Sequence, residues 1–162
     1  MATSSHPFLI SNLEQSQFNE KACFFFKMWR RQMKAGDFDF PEFKPFSPEL
    51  IVLGKPNISN PMSNLIFSGT ETIGARMFGA NLEKTSAKVY ASQNKNCLKN
   101  YSEVVSRAQN ESFEHREPVY DYISSEIKGQ ILAYERLLLP LKTKGGPVFL
   151  LGYSMPISVP SL

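Results

Sequence analysis

The sequence predicts a single α+β domain: a five-stranded antiparallel sheet with helices on one face, preceded by a long N-terminal helix. Three observations support this fold class. The length of 162 residues suits one domain. The 13 Phe and 6 Tyr, within a hydrophobic fraction of 42%, provide enough apolar surface for a core. Helical and strand patterns occur in blocks, whereas a parallel βαβ fold would alternate them along the chain.

The N-terminal part of the chain predicts a loose terminus followed by the long helix. The first residues, 1–12, are polar or interrupted by Pro7, as is typical of a loose terminus. From 13 to 36, apolar residues recur at spacings of three and four and predict a helix that ends at Gly36. Its aromatic stripe is wider than one sheet face requires, so we interpret the helix as a dimer element of a homodimer. The interface candidates are Phe18, Phe25, Phe26 and Trp29.

The middle of the chain predicts a proline-rich segment, a hairpin and a short helix. Three prolines within 37–49 prevent a long helix there, so we expect an extended segment packed onto the domain. The apolar runs at 50–53 and 64–68 flank turn residues and predict an antiparallel hairpin. After them, Thr70 suits the N-cap of a short helix that ends at Gly79.

The last third of the chain predicts a second helix followed by strands. Apolar residues at helical spacing predict a helix from Leu98 that closes near Asn110. The three predicted strands cover 113–123, 131–141 and 148–151. Pro118 suits an edge strand or a bulge. The predicted domain therefore spans 37–155 and leaves a C-terminal tail at 156–162.

Charge and hydropathy argue against several classes of partner. A net charge of +3 is too small to argue for a nucleic-acid interface, which needs clustered basic residues. The basic flank of the N-terminal helix, formed by Lys27, Arg30, Arg31 and Lys34, could attract phosphate or a partner, but it is more typical of a solvated helix face. The longest apolar runs fall far below the about 18 residues that a membrane-spanning helix requires. The N-terminus lacks the basic start and continuous apolar block of a secretory signal. We therefore expect a cytoplasmic protein with no nucleic-acid partner and no membrane span.

Patterns for catalysis and metal binding are scarce. Histidine occurs only at His6 and His115, and neither lies in a motif for nucleophilic catalysis. Cys23 and Cys97 are isolated from each other, without the paired spacing of a zinc site. No glycine-rich phosphate-binding motif is present. We therefore predict that the chain is not an enzyme and has neither catalytic nor metal-ligating residues.

Five segments, taken in order, carry a resemblance to a known family. They are Phe26-x-x-Trp29-Arg30, Asp37–Pro41, Phe67–Thr70, Phe78–Leu82 and Tyr134–Leu141. Together they resemble the bacterial stand-alone PAS-domain proteins, which are short single-domain chains. The resemblance spans about 24–151 and implies a PAS-like fold, in which short helices cover the concave face of the sheet and can enclose a small ligand. That family often has an arginine on the strand before the Gly-Thr step, where this chain has Leu65–Phe67.

The resemblance places a ligand site between the sheet and its covering helices. The implied site residues are Phe67 and Thr70 at the base, Phe78 and Leu82 on the helical wall, and Tyr134, Arg136 and Leu138 on the sheet. Strand alternation puts the last three on one face but leaves open whether that face lines the cavity. The same apolar side chains also suit an ordinary filled core.

The cofactor is left unknown, because the sequence argues against the two obvious ones. Haem needs an axial ligand, and His115, on a predicted strand, does not match the helix position that haem-binding PAS domains use. Asn96-Cys97 is similar to the step found in flavin-binding light sensors, but Leu98-Lys99-Asn100 replaces the residues expected after it.

The leading hypothesis is a non-catalytic sensory or regulatory module. It binds a small ligand of apolar or mixed polarity, or a signalling partner protein, and acts through protein–protein contacts. The alternative is a structural or scaffolding interaction protein with a filled core and no ligand.

Overall fold

The computed structural model describes residues 3–10, 13, 19–36, 38–56, 64–78, 95–127, 129–143, 146 and 148–160. Its described strands are β1 (Ser4–Phe8), β2 (Leu50–Leu53), β3 (Leu65–Ser68), β4 (Val119–Ile127), β5 (Gln130–Lys142) and β6 (Val148–Ser158). They form one six-stranded sheet in the order β1-β4-β5-β6-β2-β3. Every neighbouring pair is antiparallel. The predicted α+β class and antiparallel sheet are confirmed, with one strand more than expected.

Helices cover both faces of this sheet in the part of the chain that the structure describes. They are α1 (Glu20–Ala35), α2 (Phe40–Phe43), a 3-10 helix (Lys44–Glu49), α3 (Ile73–Phe78) and α4 (Lys95–His115). Helix α1 packs on one face, called the α1 face here, and helices α3 and α4 lie on the other, the α4 face. None of the described helices has the length and apolar character needed to span a membrane.

The prediction of helices on one face only is wrong. Along the central strand β5, Leu137 and Leu139 are buried beneath α1, whereas Tyr134 is buried with Ile73 of α3 on the α4 face. A sheet that is apolar on both faces needs cover on both sides. Helix α1, which was expected merely to precede the domain, supplies the cover of the second face.

Helix α1 is shorter than the predicted 13–36. It begins at Glu20, where the side chain of Asn19 accepts a hydrogen bond from the backbone N–H of Ala22 at 3.0 Å. Gly36 ends it in the left-handed conformation, with φ of 79°, as the sequence predicts. The stretch 14–18 lies outside the described residues.

The proline-rich segment 37–49 is not extended. Pro41 and Pro45 stand in the first turns of α2 and of the 3-10 helix, where a residue without an N–H is tolerated. Phe43 is buried in the core of the α1 face. No long helix forms in the described part of this segment, as predicted, but Pro41 and Pro45 start two short helices, and Pro48 lies inside the second.

The prediction of a loose terminus at 1–12 is wrong for Ser4–Phe8, which form β1 at the edge of the sheet. This strand pairs with β4 over its whole length. The hydroxyl of Ser5 also donates to Asp121 Oδ2 at 3.0 Å. An edge strand tolerates Pro7, since a residue without an N–H costs nothing on the unpaired side.

The predicted strand 113–123 is wrong in its first half. Helix α4 continues past Asn110 to His115, and the backbone turns at Arg116, whose φ is 57°. Pro118 therefore lies in the connection to β4 and not within a strand. At the other end of the chain, β6 continues to Ser158, beyond the predicted domain boundary at 155.

The hairpin predicted from the two short apolar runs is confirmed. Strands β2 and β3 pair with Ile51 opposite Ser68 and Val52 opposite Phe67, and the register shifts after Val52. Val52 belongs to the core of the α1 face, so Phe67 points to that face as well. Strand β2 also pairs with β6, which joins the hairpin to the rest of the sheet.

The packing of Tyr153 on the α1 face gives a pH prediction. Its ring lies 5.0 Å from that of Phe25, and burial, followed by the nearby carboxylates of Glu49 and Glu135, raises the pKa of Tyr153 from 10.0 to about 12. Between these pH values the unfolded chain loses this proton before the folded chain does. The free energy of unfolding should therefore fall as the pH rises, by up to about 1.4 kcal/mol per pH unit for this group.

Urea denaturation of the wild type and of Tyr153→Phe from pH 9 to about pH 12 checks this effect. The free energy of unfolding should decline less steeply with pH in Tyr153→Phe than in the wild type, because the variant lacks the hydroxyl that titrates. Equal slopes for both proteins would contradict the raised pKa.

Candidate ligand-binding site

A cavity of about 130 Å³ lies on the α4 face, between the sheet and the helices α3 and α4. Its apolar wall is formed by Ile51, Leu53, Leu65, Ile73, Met77 and Val105. Its main polar contributions come from Tyr101, Gln109, Tyr134 and Arg136. An apolar cavity of about 150 Å³ is known to hold benzene. The volume of this one therefore suits a single small ring.

Regular spacing in two elements builds the polar side of the cavity. Tyr101, Val105 and Gln109 recur every four residues and so lie along one side of α4. Tyr134 and Arg136 alternate on β5 and point to the same face of the sheet. Helix α4 and strand β5 therefore supply most of the hydrogen-bonding groups.

Gly152 on β6 leaves room for the side chain of Ile51 in the wall of the cavity. A Cβ at this position would lie 2.6 Å from Cγ1 of Ile51, its partner on β2. The missing side chain lets Ile51 fold over the strand and still line the cavity. A side chain there would push Ile51 out of its present position.

Arg136 forms a buried ion pair with Asp121. Its Nε donates to Oδ1 at 3.0 Å and its Nη2 to Oδ2 at 2.7 Å, and the two side chains are 3% and 1% exposed. Its Nη1 donates to the backbone carbonyl of Val105 on α4 at 3.2 Å. Burial acts to lower the pKa of Arg136, but attraction to Asp121 outweighs it and raises the pKa above its ordinary value. The guanidinium of Arg136 is therefore positively charged, and the carboxylate of Asp121 is its counter-ion.

Two tyrosines close one side of the cavity. The hydroxyls of Tyr101 and Tyr134 are 2.8 Å apart, so one donates to the other. Burial, and then the proximity of Tyr134, raises the pKa of Tyr101 well above its ordinary value. The raised pKa keeps the Tyr101 hydroxyl neutral, so that it offers an uncharged polar contact to the cavity.

Gln109 presents an unused acceptor. The side chain is 6% exposed and lines the cavity. Its carbonyl oxygen Oε1 finds no hydrogen-bond partner among the described residues. A buried acceptor without a partner carries a desolvation cost of about 1–3 kcal/mol, which a ligand donor can relieve.

The structure brings together only part of the predicted site. Tyr134 and Arg136 line the cavity, which settles that their face of β5 is the cavity face. Leu138 is fully buried on the same face but lies outside the lining. Phe67 points to the α1 face, because it pairs with Val52, whose side chain lies on that face. Its side chain is 42% exposed.

Of the remaining predicted site residues, Thr70 is the one whose side chain the structure describes, and it does not line the cavity. Thr70 is exposed, and its neighbour Thr72 is the residue that caps α3, by accepting from the backbone N–H of Ala75 at 3.2 Å. Phe78 ends α3, and nothing is described of its side chain. Leu82 lies outside the described residues.

The aromatic stripe of α1 is core and not a free interface. Phe25 and Phe26 are 0% and 5% exposed and belong to the α1-face cluster. The indole N–H of Trp29 donates to the backbone carbonyl of Pro140 at 2.7 Å. Phe18 lies outside the described residues. The interface prediction is therefore wrong for Phe25 and Phe26, because the chain's own sheet has a second face to cover. Trp29 is only partly buried, and for it the interface stays a prediction.

Of the two residues weighed for cofactor binding, His115 lies away from the described cavity lining. His115 is the exposed last residue of α4, so its prediction as a strand residue is wrong. It is not placed to ligate a group held between the sheet and α4. Cys97 belongs to the first turn of α4, and nothing is described of its side chain.

A second, more open groove lies on the α1 face. Its volume is about 450 Å³, and its walls come mainly from apolar residues of α2, β3 and β6. Phe40 and Phe67, which line it, are 40% and 42% exposed. This groove lacks the buried polar groups that the α4-face cavity has.

Comparison of the chain with protein-family models, with curated proteins and with solved structures finds no match in any of the three. The resemblance to stand-alone PAS proteins therefore stays a prediction from the five sequence segments, consistent with the coarse α+β architecture.

Proposed function

We propose that the protein is a cytoplasmic, non-catalytic sensory or regulatory module of the PAS-like type. It binds a small molecule in the cavity of the α4 face and passes the change on to a partner protein. The observation that carries this proposal is the cavity itself, which combines apolar walls with the buried Arg136 and the unpartnered carbonyl of Gln109. Small-molecule sites have this composition of mainly apolar walls and a few convergent polar groups.

A hydrogen-bonded path leads from the cavity to the outer elements of the fold. Arg136 holds the backbone of Val105 on α4 and also the carboxylate of Asp121 on β4. Asp121 in turn accepts from Ser5 on the edge strand β1. A ligand in the cavity therefore lies next to a network of contacts that includes both α4 and β1, which are elements that a partner can reach.

The scaffolding alternative draws support from a different surface. The exposed rings of Phe40 and Phe67 line the groove of the α1 face and could dock a partner without any ligand. The filled core that this alternative assumes does not suit the open α4-face cavity. Ligand binding is therefore the better-supported function.

Filling the cavity tests the proposal. Val105→Phe enlarges a side chain that faces the cavity, whereas Asn100→Phe adds the same ring at an exposed position of the same helix. Both variants and the wild type would be screened by ligand-observed NMR against neutral fragments of up to about nine non-hydrogen atoms, a size set by the cavity volume.

Saturable binding to the wild type and to Asn100→Phe, lost in Val105→Phe, is the expected result. Absence of saturable binding to the wild type, or binding that Val105→Phe leaves unchanged, would overturn the proposed site.

A further inference from the structure

We infer that the α4-face cavity selects a small neutral aromatic ring that carries one N–H or O–H donor, and that this donor binds the carbonyl of Gln109. The inference rests on the proposed function and deepens it, since it names the class of ligand that the cavity takes. It follows from the size of the cavity, its charge balance and the carbonyl oxygen of Gln109, the one buried polar side-chain atom without a hydrogen-bond partner among the described lining residues.

The charges around the cavity disfavour an ionised ligand. Arg136 is the buried cation of the lining, and its Nε and Nη2 already donate to the two carboxylate oxygens of Asp121. The other charged lining residue, Glu49, is negative and engages Lys21 at 2.7 and 2.6 Å. A carboxylate ligand would have to displace Asp121 from Arg136, and a cation would meet a guanidinium. A neutral molecule avoids both costs.

The buried polar groups of the cavity favour a ligand that carries a hydrogen-bond donor. Gln109 Oε1 is buried without a partner among the described residues, and an oxygen of this kind can only accept. The hydroxyls of Tyr101 and Tyr134 bond to each other, and this bond uses one of their two protons. A ligand N–H or O–H therefore finds its unsatisfied partner at Gln109.

The walls and volume favour a ring. About 130 Å³ accommodates a six-membered ring with a single substituent, by comparison with the about 150 Å³ that holds benzene. The thioether of Met77 and the aliphatic groups of Ile73 and Val105 offer the apolar contacts that such a ring requires. Phenol is the simplest probe of this class, and toluene has the same shape without the donor.

The test compares three probes on three proteins. Phenol, toluene and benzoate are titrated at pH 7 by NMR into the wild type, into Gln109→Met and into Gln130→Met. The substitution at 109 removes the acceptor at similar volume. The substitution at 130 makes the same change at an exposed position on β5.

The dissociation constant of phenol should rise about 3- to 10-fold in Gln109→Met, the value of one hydrogen bond. That of toluene should change less than about 2-fold, and Gln130→Met should match the wild type for both probes. Benzoate should bind the wild type at least about 10-fold more weakly than phenol, the effect of about 1.4 kcal/mol.

Each other outcome overturns a stated claim. Phenol that is no more sensitive than toluene to Gln109→Met, or benzoate that equals phenol, contradicts the ligand class while leaving the cavity as a binding site. Failure of every probe to bind the wild type overturns the proposed function together with the inference. If Gln109→Met does not fold, the side-chain amide signals of Gln109 decide the question in the wild type: phenol must shift them more than toluene does.

Discussion

Asp121→Ala should lower the free energy of unfolding by about 3–5 kcal/mol, because it leaves the buried guanidinium of Arg136 without its counter-ion. Among the described residues, the further hydrogen bond of Arg136 goes to the backbone carbonyl of Val105, which carries no compensating negative charge. The loss should also loosen β1, because Ser5 donates to the same carboxylate. Urea denaturation followed by circular dichroism measures the effect.

Two matched changes show whether burial of the charge is the cause. Lys21→Ala removes one partner of an exposed ion pair, whose lysine side chain is 55% exposed, and should cost less than about 1 kcal/mol. The double variant Asp121→Leu/Arg136→Met replaces the buried pair by apolar groups and should recover much of the lost stability. A double variant as unstable as Asp121→Ala would show that the cost lies in packing and not in the unpaired charge.

Gly69→Ala should lower the free energy of unfolding by about 3 kcal/mol, since the added methyl group has no room. A Cβ there would lie 2.1 Å from the carbonyl oxygen of Ser47 and 2.3 Å from that of Pro48, both of them backbone atoms. Gly69 also donates its N–H to the carbonyl of Leu50 at 2.9 Å, which ties the end of β3 to the start of β2. The backbone must therefore move, and this hydrogen bond with it.

Gly54→Ala is the control for this prediction. A Cβ at Gly54 would meet the side chain of Ile66 at 3.4 Å, an ordinary contact distance, so the change should cost less than about 1 kcal/mol. Urea denaturation of both variants provides the comparison. Similar losses at Gly54 and Gly69 would contradict the close backbone approach.

Local patterns predicted several elements because the physical signal is local. The hairpin of β2 and β3 follows from two short apolar runs with turn residues between them. Gly36 marks the end of α1, because its φ of 79° is one that glycine adopts readily. The α+β class follows in the same way from the blocks of strands and helices.

The assignment of faces could not be predicted, because it depends on long-range packing. Strand β5 is apolar on both sides, so its sequence does not say which side a given helix covers. The stripe of Phe25 and Phe26 looked surplus only because one sheet face was thought to need cover. Strand β1 is half-buried or exposed throughout, and an edge strand of that kind lacks an apolar alternation.

Most of the site was missed for related reasons, since only Tyr134 and Arg136 of the predicted residues line the cavity. Tyr101 and Val105 were assigned to an apolar helical stripe, and their role in a cavity appears only once α4 is placed on the sheet. Gln109 follows them at the same spacing of four, which was the available signal for it. Asp121 lies between two tyrosines on β4, and Arg136 follows Glu135 on β5. Opposite charges at facing positions indicate a buried pair only once the two strands are paired.

The location of a bound neutral ring tests the central claim most directly. Toluene added to the isotopically labelled chain should give saturable intermolecular NOEs to the methyl groups of Ile73, Met77 and Val105, which line the α4-face cavity. Saturable NOEs only to Phe67 and Phe149, in the groove of the α1 face, would contradict it, as would the absence of any saturable contact.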